Sequence, residues 1–345
     1  MKIREKIREQ IPQWMERIQR LKKEHSGFVV GEVTIEQILS GIRGVQISIS
    51  DISYVDPCEG IRLRGYTISE ILSLLPKAKN SKMPLAGGLY YLLLTGEMPM
   101  PQEAEEVEEL WRSRSEIPDY VWDVIRSMPR ETHPMTLFSQ AIMALQPQSL
   151  FAKAYLDGVP KSQYWEYYLE DSINLTAKVP QIAAFIYCWK YRDGIIEPRD
   201  PNLDWSASFA QMIGKGADWQ YQELMRLYLV IHSDHEGANV SAHTSHLVSS
   251  ALSDIYLSSA AGMNGLAGPL HGLANQECIR WLLNVYEVFG RLPSDEELEG
   301  YIRTQLSAGY VIPGYGHAVL RVTDPRFTAQ LEFAEEYLPH DDLFQ

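Results

Sequence analysis

Residues 218–239 read DWQYQELMRLYLVIHSDHEGAN, and their pattern decides the fold class. Asp218 has the short oxygen side chain of a helix N-cap. Leu224, Leu227, Tyr228 and Ile231 follow at steps of three and four, the period of one buried helical face. The spacing predicts a helix that opens at Asp218, stops near Gly237 and delivers His232 and His235 into a loop. The same period recurs on both sides. Upstream it predicts helices over 85–94, 103–111, 120–128, 135–145, 180–191 and 205–213, punctuated by Gly, Pro and Asn. Downstream, Ser294 and Glu297 have capping-box spacing ahead of Leu298, Ile302 and Leu306, and Gly309 suits the C′ position. At the start, Ile3, Ile7, Ile11, Met15, Ile18 and Leu21 define an amphipathic helix, bent at Pro12. The fold class is therefore all-α. Strand signals are few: Val45, Ile47 and Ile49 alternate with Gln46 and Ser48, and Val33 and Ile35 flank Thr34.

Composition narrows the function. The chain has 345 residues, enough for about two domains, and it is 45% hydrophobic, enough to bury a full core. Thirty-one Lys and Arg stand against forty-five Asp and Glu, a net charge of −14, which argues against a nucleic-acid partner or an anionic membrane surface. No apolar run reaches the roughly 18 residues of a membrane span. Cys58, Cys188 and Cys278 are far apart with no CxxC spacing, so neither a disulfide framework nor a thiolate zinc site is expected, and a reducing compartment fits. The N-terminus mixes Lys2 and Arg4 with Glu5 and Glu9 and has no apolar core of a signal peptide. With no internal repeat, low-complexity tract or flexible linker, the domains are expected to be closely joined.

The chemistry concentrates late in the chain, where six of the nine histidines fall between His232 and His317. In the first cluster, HSDHEGAN followed by SAHTSH, two His-x2-His pairs invite a metal, but neither is HExxH and no ligand completes a shell, so no metal site is expected. His232, His243 and His246 read as hydrogen-bonded histidines at helix ends. His235, flanked by Asp234, Glu236 and Gly237 at a helix exit, is placed to turn its ring into a cavity. In the second cluster, MNGLAGPLHGLAN, glycines at 265, 268 and 272 permit close backbone approach, and Pro269 fixes the chain ahead of His271. A tight helix crossing that happens to contain a histidine explains the same residues equally well. In the third, VIPGYGHAVLRVTDPR, a Gly-containing turn at Pro313, Gly314, Tyr315 and Gly316 offers backbone N–H groups to an anion, beside His317, Arg321 and Arg326. The competing reading is a solvated helix end whose arginines pair with nearby acids. No P-loop or dinucleotide fingerprint follows a strand.

HSDHEGAN, GLAGPLHGLAN and PGYGHAVLRVTDPR, in this order, resemble the signature segments of the citrate synthase family. The resemblance extends back through GIRG at 41–44, DPCEGIRLRGY at 56–66 and ELMRL at 223–227, in the manner of the mitochondrial type, and covers practically the whole chain. It implies a homodimer of mostly helical subunits, each a large domain (1–271) and a small domain (272–345) closing over the substrates. It also implies condensation of acetyl-CoA with oxaloacetate and hydrolysis of citryl-CoA, with no cofactor beyond these substrates. Forming an enol or enolate from a thioester methyl group needs an electrophilic donor and a base. His271 resembles the histidine that hydrogen-bonds the acetyl-CoA carbonyl, and His317 the one that polarises the oxaloacetate carbonyl. His235 and Arg326 match residues that hold oxaloacetate carboxylates. Pro313, Gly314, Tyr315, Gly316, Arg321 and Arg43 resemble CoA-contacting positions, as does Lys161 where the family carries Arg.

Two departures stand out. Ala238 replaces a common glycine, which matters only if that residue has positive φ. The family's general base is an Asp in a later Asp-Ala-His-Ser-Gly-like segment that does not occur before Gln345. The expectation is a fragment of a longer reading frame rather than a shortened, catalytically dead CoA- or dicarboxylate-binding paralogue. As given it would be nearly inactive, since positioned general-base catalysis contributes roughly 10²–10⁴-fold. 2-Methylcitrate synthase is the alternative within the enzyme class, because one methylene changes binding by only about 1–3 kcal/mol. A bacterial cytoplasm is the expected compartment, with the mitochondrial matrix as the alternative.

Overall fold

The computed structural model describes residues 1–39, 45, 49–317, 319–341 and 344. Sixteen α-helices and one small sheet occur among them. The chain opens with α1 (Lys2–His25) and α2 (Ile35–Leu39), then forms β1 (Ser53–Asp56), β2 (Gly60–Leu63) and β3 (Tyr66–Thr67). Next come α3 (Ile68–Leu74), α4 (Ala86–Thr95), α5 (Pro101–Ser113), α6 (Asp119–Ser127), α7 (Pro134–Ala144) and α8 (Leu150–Leu156). The centre is α9 (Tyr164–Tyr191), followed by α10 (Trp205–Ala210), α11 (Trp219–Ile231), α12 (Val240–Ser249) and α13 (Ile255–Leu266). The chain closes with α14 (Ala274–Phe289), α15 (Asp295–Ser307) and α16 (Pro325–Tyr337).

Capping chemistry sets several boundaries as read. Asp218 accepts the Tyr221 N–H (2.9 Å) to start α11. Ser294 and Glu297 form a reciprocal capping box on α15, and Gly309 beyond its end has φ +84°. The helix from Asp218 nevertheless stops at Ile231, six residues before Gly237. Leu227 and Ile231 of its stripe are fully buried, joined by Val230 and by the charged pair Glu223 and Arg226.

Two expectations need correction, and the helix expected at the start of the chain forms but packs only in part. The helix predicted from Pro180 begins at Tyr164 and runs straight through the proline. Proline removes the N–H that would bond the carbonyl of Thr176, and that carbonyl instead accepts the indole Nε1–H of Trp205 at 2.9 Å. The helix survives because tertiary structure satisfies the orphan. The long stripe of α1 docks only at its start: Ile3 is fully buried, whereas Met15, Ile18 and Leu21 are exposed. Finally, Ile35 begins a helix rather than ending a strand, and Ile47 lies outside the described residues. The sheet is formed instead by the antiparallel order β1-β2-β3, with Tyr54 opposite Arg62 and Val55 opposite Ile61. Arg64 (φ +50°) and Gly65 (φ +88°) make the two-residue turn between β2 and β3. Strands of two to four residues are too short to show a convincing alternation in sequence.

Val55, Ile61 and Leu63 of the sheet share one core with Ile68 and Ile71 of α3, Leu89 and Leu92 of α4, and Leu227, Val230 and Ile231 of α11. Leu320, in the loop before α16, and Phe333 of α16 enter the same core from the far end of the sequence. A second core joins α6, α7, α9 and α13 through Val121, Leu137, Ile182 and Tyr256. The hairpin, the end of α11 and the start of α16 thus meet at one place.

Candidate active site

The loop between α11 and α12 carries His235. Asn239 caps α12 by accepting the Ala242 N–H (3.0 Å), while its Nδ2 donates to the carbonyls of His235 and Glu236. The strained residue of this loop is Glu236, at φ +47°; Ala238 is not among the positive-φ residues, so its methyl group is tolerated where the family commonly has glycine.

Arg326 reaches His235 across 91 positions of sequence. Its Nη1 lies 3.2 Å from His235 Nδ1. A guanidinium only donates, so Nδ1 accepts and the neutral ring keeps its proton on Nε2. Burial, then the charge of Arg326, then the neighbouring His317, push the His235 pKa down to about 4. Asp324 caps α16 through the Arg326 N–H (2.9 Å) and holds the same guanidinium at Nε (3.0 Å) and Nη2 (2.6 Å). Burial opposes the Asp324 carboxylate, but these bonds outweigh it and hold its pKa below the usual range.

His317 stands edge-on to His235, with ring centroids 5.9 Å apart at 78°. Its Nδ1 accepts the backbone N–H groups of Val319 and Leu320, both at 3.0 Å, which leaves an Nε2–H as its outward donor. His271 completes the group, and its charge also acts on His235. Its Nε2 lies 2.9 Å from Ser241 Oγ at the start of α12, and burial lowers its pKa. Of the two readings of its glycine-rich segment, the tight helix crossing is the one the packing shows. A Cβ on Gly262 would sit 3.1 Å from the Ser241 carbonyl oxygen and one on Gly272 2.5 Å from that of Leu266, so the tight α12–α13 crossing is what brings Ser241 to His271.

The remaining predicted residues are less tightly joined to this centre. Pro313–Gly316 forms an exposed turn with Gly314 at φ +87° and Gly316 at φ +94°; a Cβ on Gly314 would lie 2.8 Å from Cys278 Sγ on α14. Arg321 folds its Nη1 onto the carbonyls of His317, Val319 and Leu320 rather than onto that turn. Lys161 is exposed ahead of α9, and no hydrogen bond, ion pair or ring contact among the described residues joins it to the histidines. Arg43 lies outside the described residues. His232 donates its Nδ1–H to the Tyr228 carbonyl (2.9 Å) and its ring lies near that of Tyr228, a helix-end histidine as read. Among the described residues no group of three His, Cys, Asp or Glu side chains is arranged to hold a metal ion. Sequence reading passed over Ser241, Asn239 and Ser53; Asn239 ahead of an apolar-periodic helix was a readable N-cap, whereas Ser53 gave no signal at all.

Three histidines beside an arginine–aspartate clamp, on a mostly helical scaffold, form a cluster of hydrogen-bond donors suited to a small anionic ligand. A family model for the citrate synthase C-terminal domain matches residues 41–345. A probable mitochondrial citrate synthase of Glossina morsitans morsitans is 52% identical over 344 residues, 99% of this chain and 74% of that protein. The mitochondrial citrate synthase of Aspergillus niger is 49% identical, over 99% of this chain and 72% of its own length. Among solved structures, citrate synthase from Pyrobaculum aerophilum aligns with TM-score 0.76 and 27% identity, over 90% of this chain and 74% of that one. A ternary complex of Thermoplasma acidophilum citrate synthase with carboxymethyl coenzyme A and oxaloacetate aligns with TM-score 0.72, over 88% and 73%, and at 22% identity shares the fold. The chain belongs to the citrate synthase family, whose enzymes are transferases.

Proposed function

We propose that the chain takes part in condensing the acetyl group of acetyl-CoA with oxaloacetate, releasing citrate and CoA, and that the histidine–arginine centre is its oxaloacetate site. The observation that carries this is the pair His235 and His317, 5.9 Å apart, each with Nδ1 occupied and an Nε2–H to spare, beside Arg326. A dicarboxylate with a reactive ketone asks for such a set. Arg326 and His235 hold carboxylate, a forked guanidinium being suited to it, and His317 donates to the ketone oxygen as charge builds there. His271, held at Ser241, hydrogen-bonds the thioester carbonyl of acetyl-CoA while a carboxylate base outside the matched histidine segments takes the methyl proton, the enol carbon bonds the ketone carbon, and water then hydrolyses the resulting citryl thioester to citrate and CoA. Asp324 is committed to Arg326 and serves to orient it, not to take that proton. The exposed Pro313–Gly316 turn, Arg321, Lys161 and Arg43 are proposed for CoA; in this conformation Arg321 would have to leave its own loop to reach it. No cofactor is required.

The division at residues 271 and 272 belongs to the same proposal. Val285 is the one buried residue of α14 and α15 contributes none, while Phe333 returns to the core built by the first part, so a mobile unit would centre on α14 and α15. A homodimer is proposed from the family resemblance. The names of relatives about half identical favour the mitochondrial matrix over the cytoplasm expected from sequence. No helix of the described residues is long and apolar enough to cross a membrane.

The test is calorimetric titration with oxaloacetate, together with thiol release from acetyl-CoA on adding oxaloacetate and propionyl-CoA as control. Binding of oxaloacetate that Arg326→Gln weakens on the order of 100-fold is the expected result. Undiminished binding by that variant would remove the assignment.

A further inference from the structure

We propose that the β1–β2 hairpin is the jig that aligns the oxaloacetate residues, with Ser53 and Glu236 as positioning residues that hold His235 against Arg326. The inference rests on the oxaloacetate reading of the site. Two stretches distant in sequence converge there, around 236 and at 321–326, and three attachments fasten them to the same eight-residue hairpin span, 53–60. Glu236 donates its N–H to Ser53 Oγ at 2.7 Å, and the Val55 N–H faces the Glu236 carboxylate. Arg321, four residues after His317, donates its N–H to the Pro57 carbonyl at 2.8 Å. Gly60, at φ +89°, lets Pro325 pack where a Cβ would stand 2.4 Å from its Cδ, and Pro325 immediately precedes Arg326.

The His235 attachment is the one under tension. Glu236 occupies a left-handed conformation that an L-residue keeps only when its surroundings hold it there, and the Ser53 bond is part of that hold. Ser53 is buried, on the same face of β1 as Val55, which together with its cross-strand partner Ile61 anchors the hairpin in the core. A hydroxyl anchored in the core thus sets the backbone directly after His235. Without it, Glu236 relaxes toward negative φ and the imidazole before it swings off Arg326. None of these contacts touches substrate, so their effect is on alignment.

The experiment compares Ser53→Ala, Ser53→Thr and Arg326→Gln by calorimetric titration with oxaloacetate and with CoA, and by NMR titration of histidines labelled at the ring. Ser53→Ala is expected to weaken oxaloacetate about tenfold, the scale of one lost hydrogen bond, and to leave CoA binding within about twofold. It should also move the His235 titration from about 4 back toward 6.5. Ser53→Thr, which keeps the hydroxyl, should restore both. Unchanged oxaloacetate affinity and an unchanged His235 titration in Ser53→Ala would overturn the proposal, as would equal loss of both ligands with a lowered melting temperature, which marks a merely structural role. Should Arg326→Gln bind oxaloacetate normally, the reading of the site fails by itself, and the His235 titration still decides whether Ser53 aligns that ring. For a variant that folds poorly, Glu236→Ala removes the carboxylate side of the same attachment and should shift the same two readouts.

Discussion

Two polar clusters occupy this molecule, and they are built on opposite plans. In the helical body, Arg226 (side chain 6% exposed) is gripped by Asp204 through Nε (2.9 Å) and Nη2 (2.7 Å) and by Glu223 through Nη1. Glu223, wholly buried, also accepts from Ser81 Oγ and the Lys82 N–H, and Asp204 caps α10. Beside them Glu108 accepts the N–H groups of Gly87 and Trp205, each at 2.8 Å and each at the start of a helix. Every principal group in this cluster is matched within the chain. At the histidine centre, by contrast, Arg326 and Asp324 are matched while His235 and His317 each keep a donor pointed away from the protein framework. A closed cluster braces helices; one with donors left over is the place proposed for oxaloacetate. Charge alone would not have told them apart.

The comparison breaks first at the closed cluster. Arg226→Met leaves Asp204 and Glu223 buried without their cation and should destabilise the chain by about 3–5 kcal/mol in urea unfolding. Oxaloacetate affinity of whatever remains folded should be unchanged. Arg326→Gln should do the reverse, weakening oxaloacetate by about 3 kcal/mol, on the order of 100-fold by calorimetry, with a smaller change in stability.

Acidity separates the clusters by sign. His235 titrates near 4 in the folded protein against 6.5 unfolded, so the unfolded chain binds more protons between these values and stability is lost as pH falls from 6.5 to 4. With the ring partly exposed, that loss amounts to about 2 kcal/mol. Burial and nearby Asp204 push Glu108 up to about 7, so the folded state holds the extra proton and stability is lost as pH rises from 4.5 through 7. Unfolding curves across pH 4–7.5 should show His235→Gln removing the first slope and Glu108→Gln the second.

Smaller effects sharpen the picture of what holds the open cluster. Gly60→Ala forces an L-residue to φ +89° and against Pro325, and should cost about 1–3 kcal/mol in thermal unfolding while loosening oxaloacetate. Ala238→Gly, at a residue free of positive φ, should lower stability by no more than about 1 kcal/mol, through the greater freedom of the unfolded chain. A stabilising Ala238→Gly would mean that the loop strain lies there and not at Glu236.

Much of the centre was legible because its parts are chemically conspicuous. His235, His271, His317 and Arg326 lie in segments whose glycines, prolines and caps are local features, and the structure brings His235, His317 and Arg326 into contact range with His271 close enough to act on His235. Arg321 and Lys161 show the limit: a basic residue near a glycine turn, or in a family-like position, says nothing of where its flexible side chain settles. The β1–β2–β3 sheet was missed because its strands are too short for a periodic signal, and the early start of α9 because proline normally ends a helix.

By itself, the sequence determined the helical class, the helix starts at Asp218 and Ser294, and the identities of the chemical groups, since periodicity, caps and motifs act over a few residues. Only the tertiary structure decided that Trp205 would satisfy the carbonyl orphaned by Pro180, that a hairpin at 53–60 would gather the stretches around 236 and 321–325, and which nitrogen of His235 would remain free. Those outcomes depend on hydrogen-bond partners dozens to hundreds of residues away, and a partner's arrival in space is fixed by packing of the whole core rather than by any local pattern.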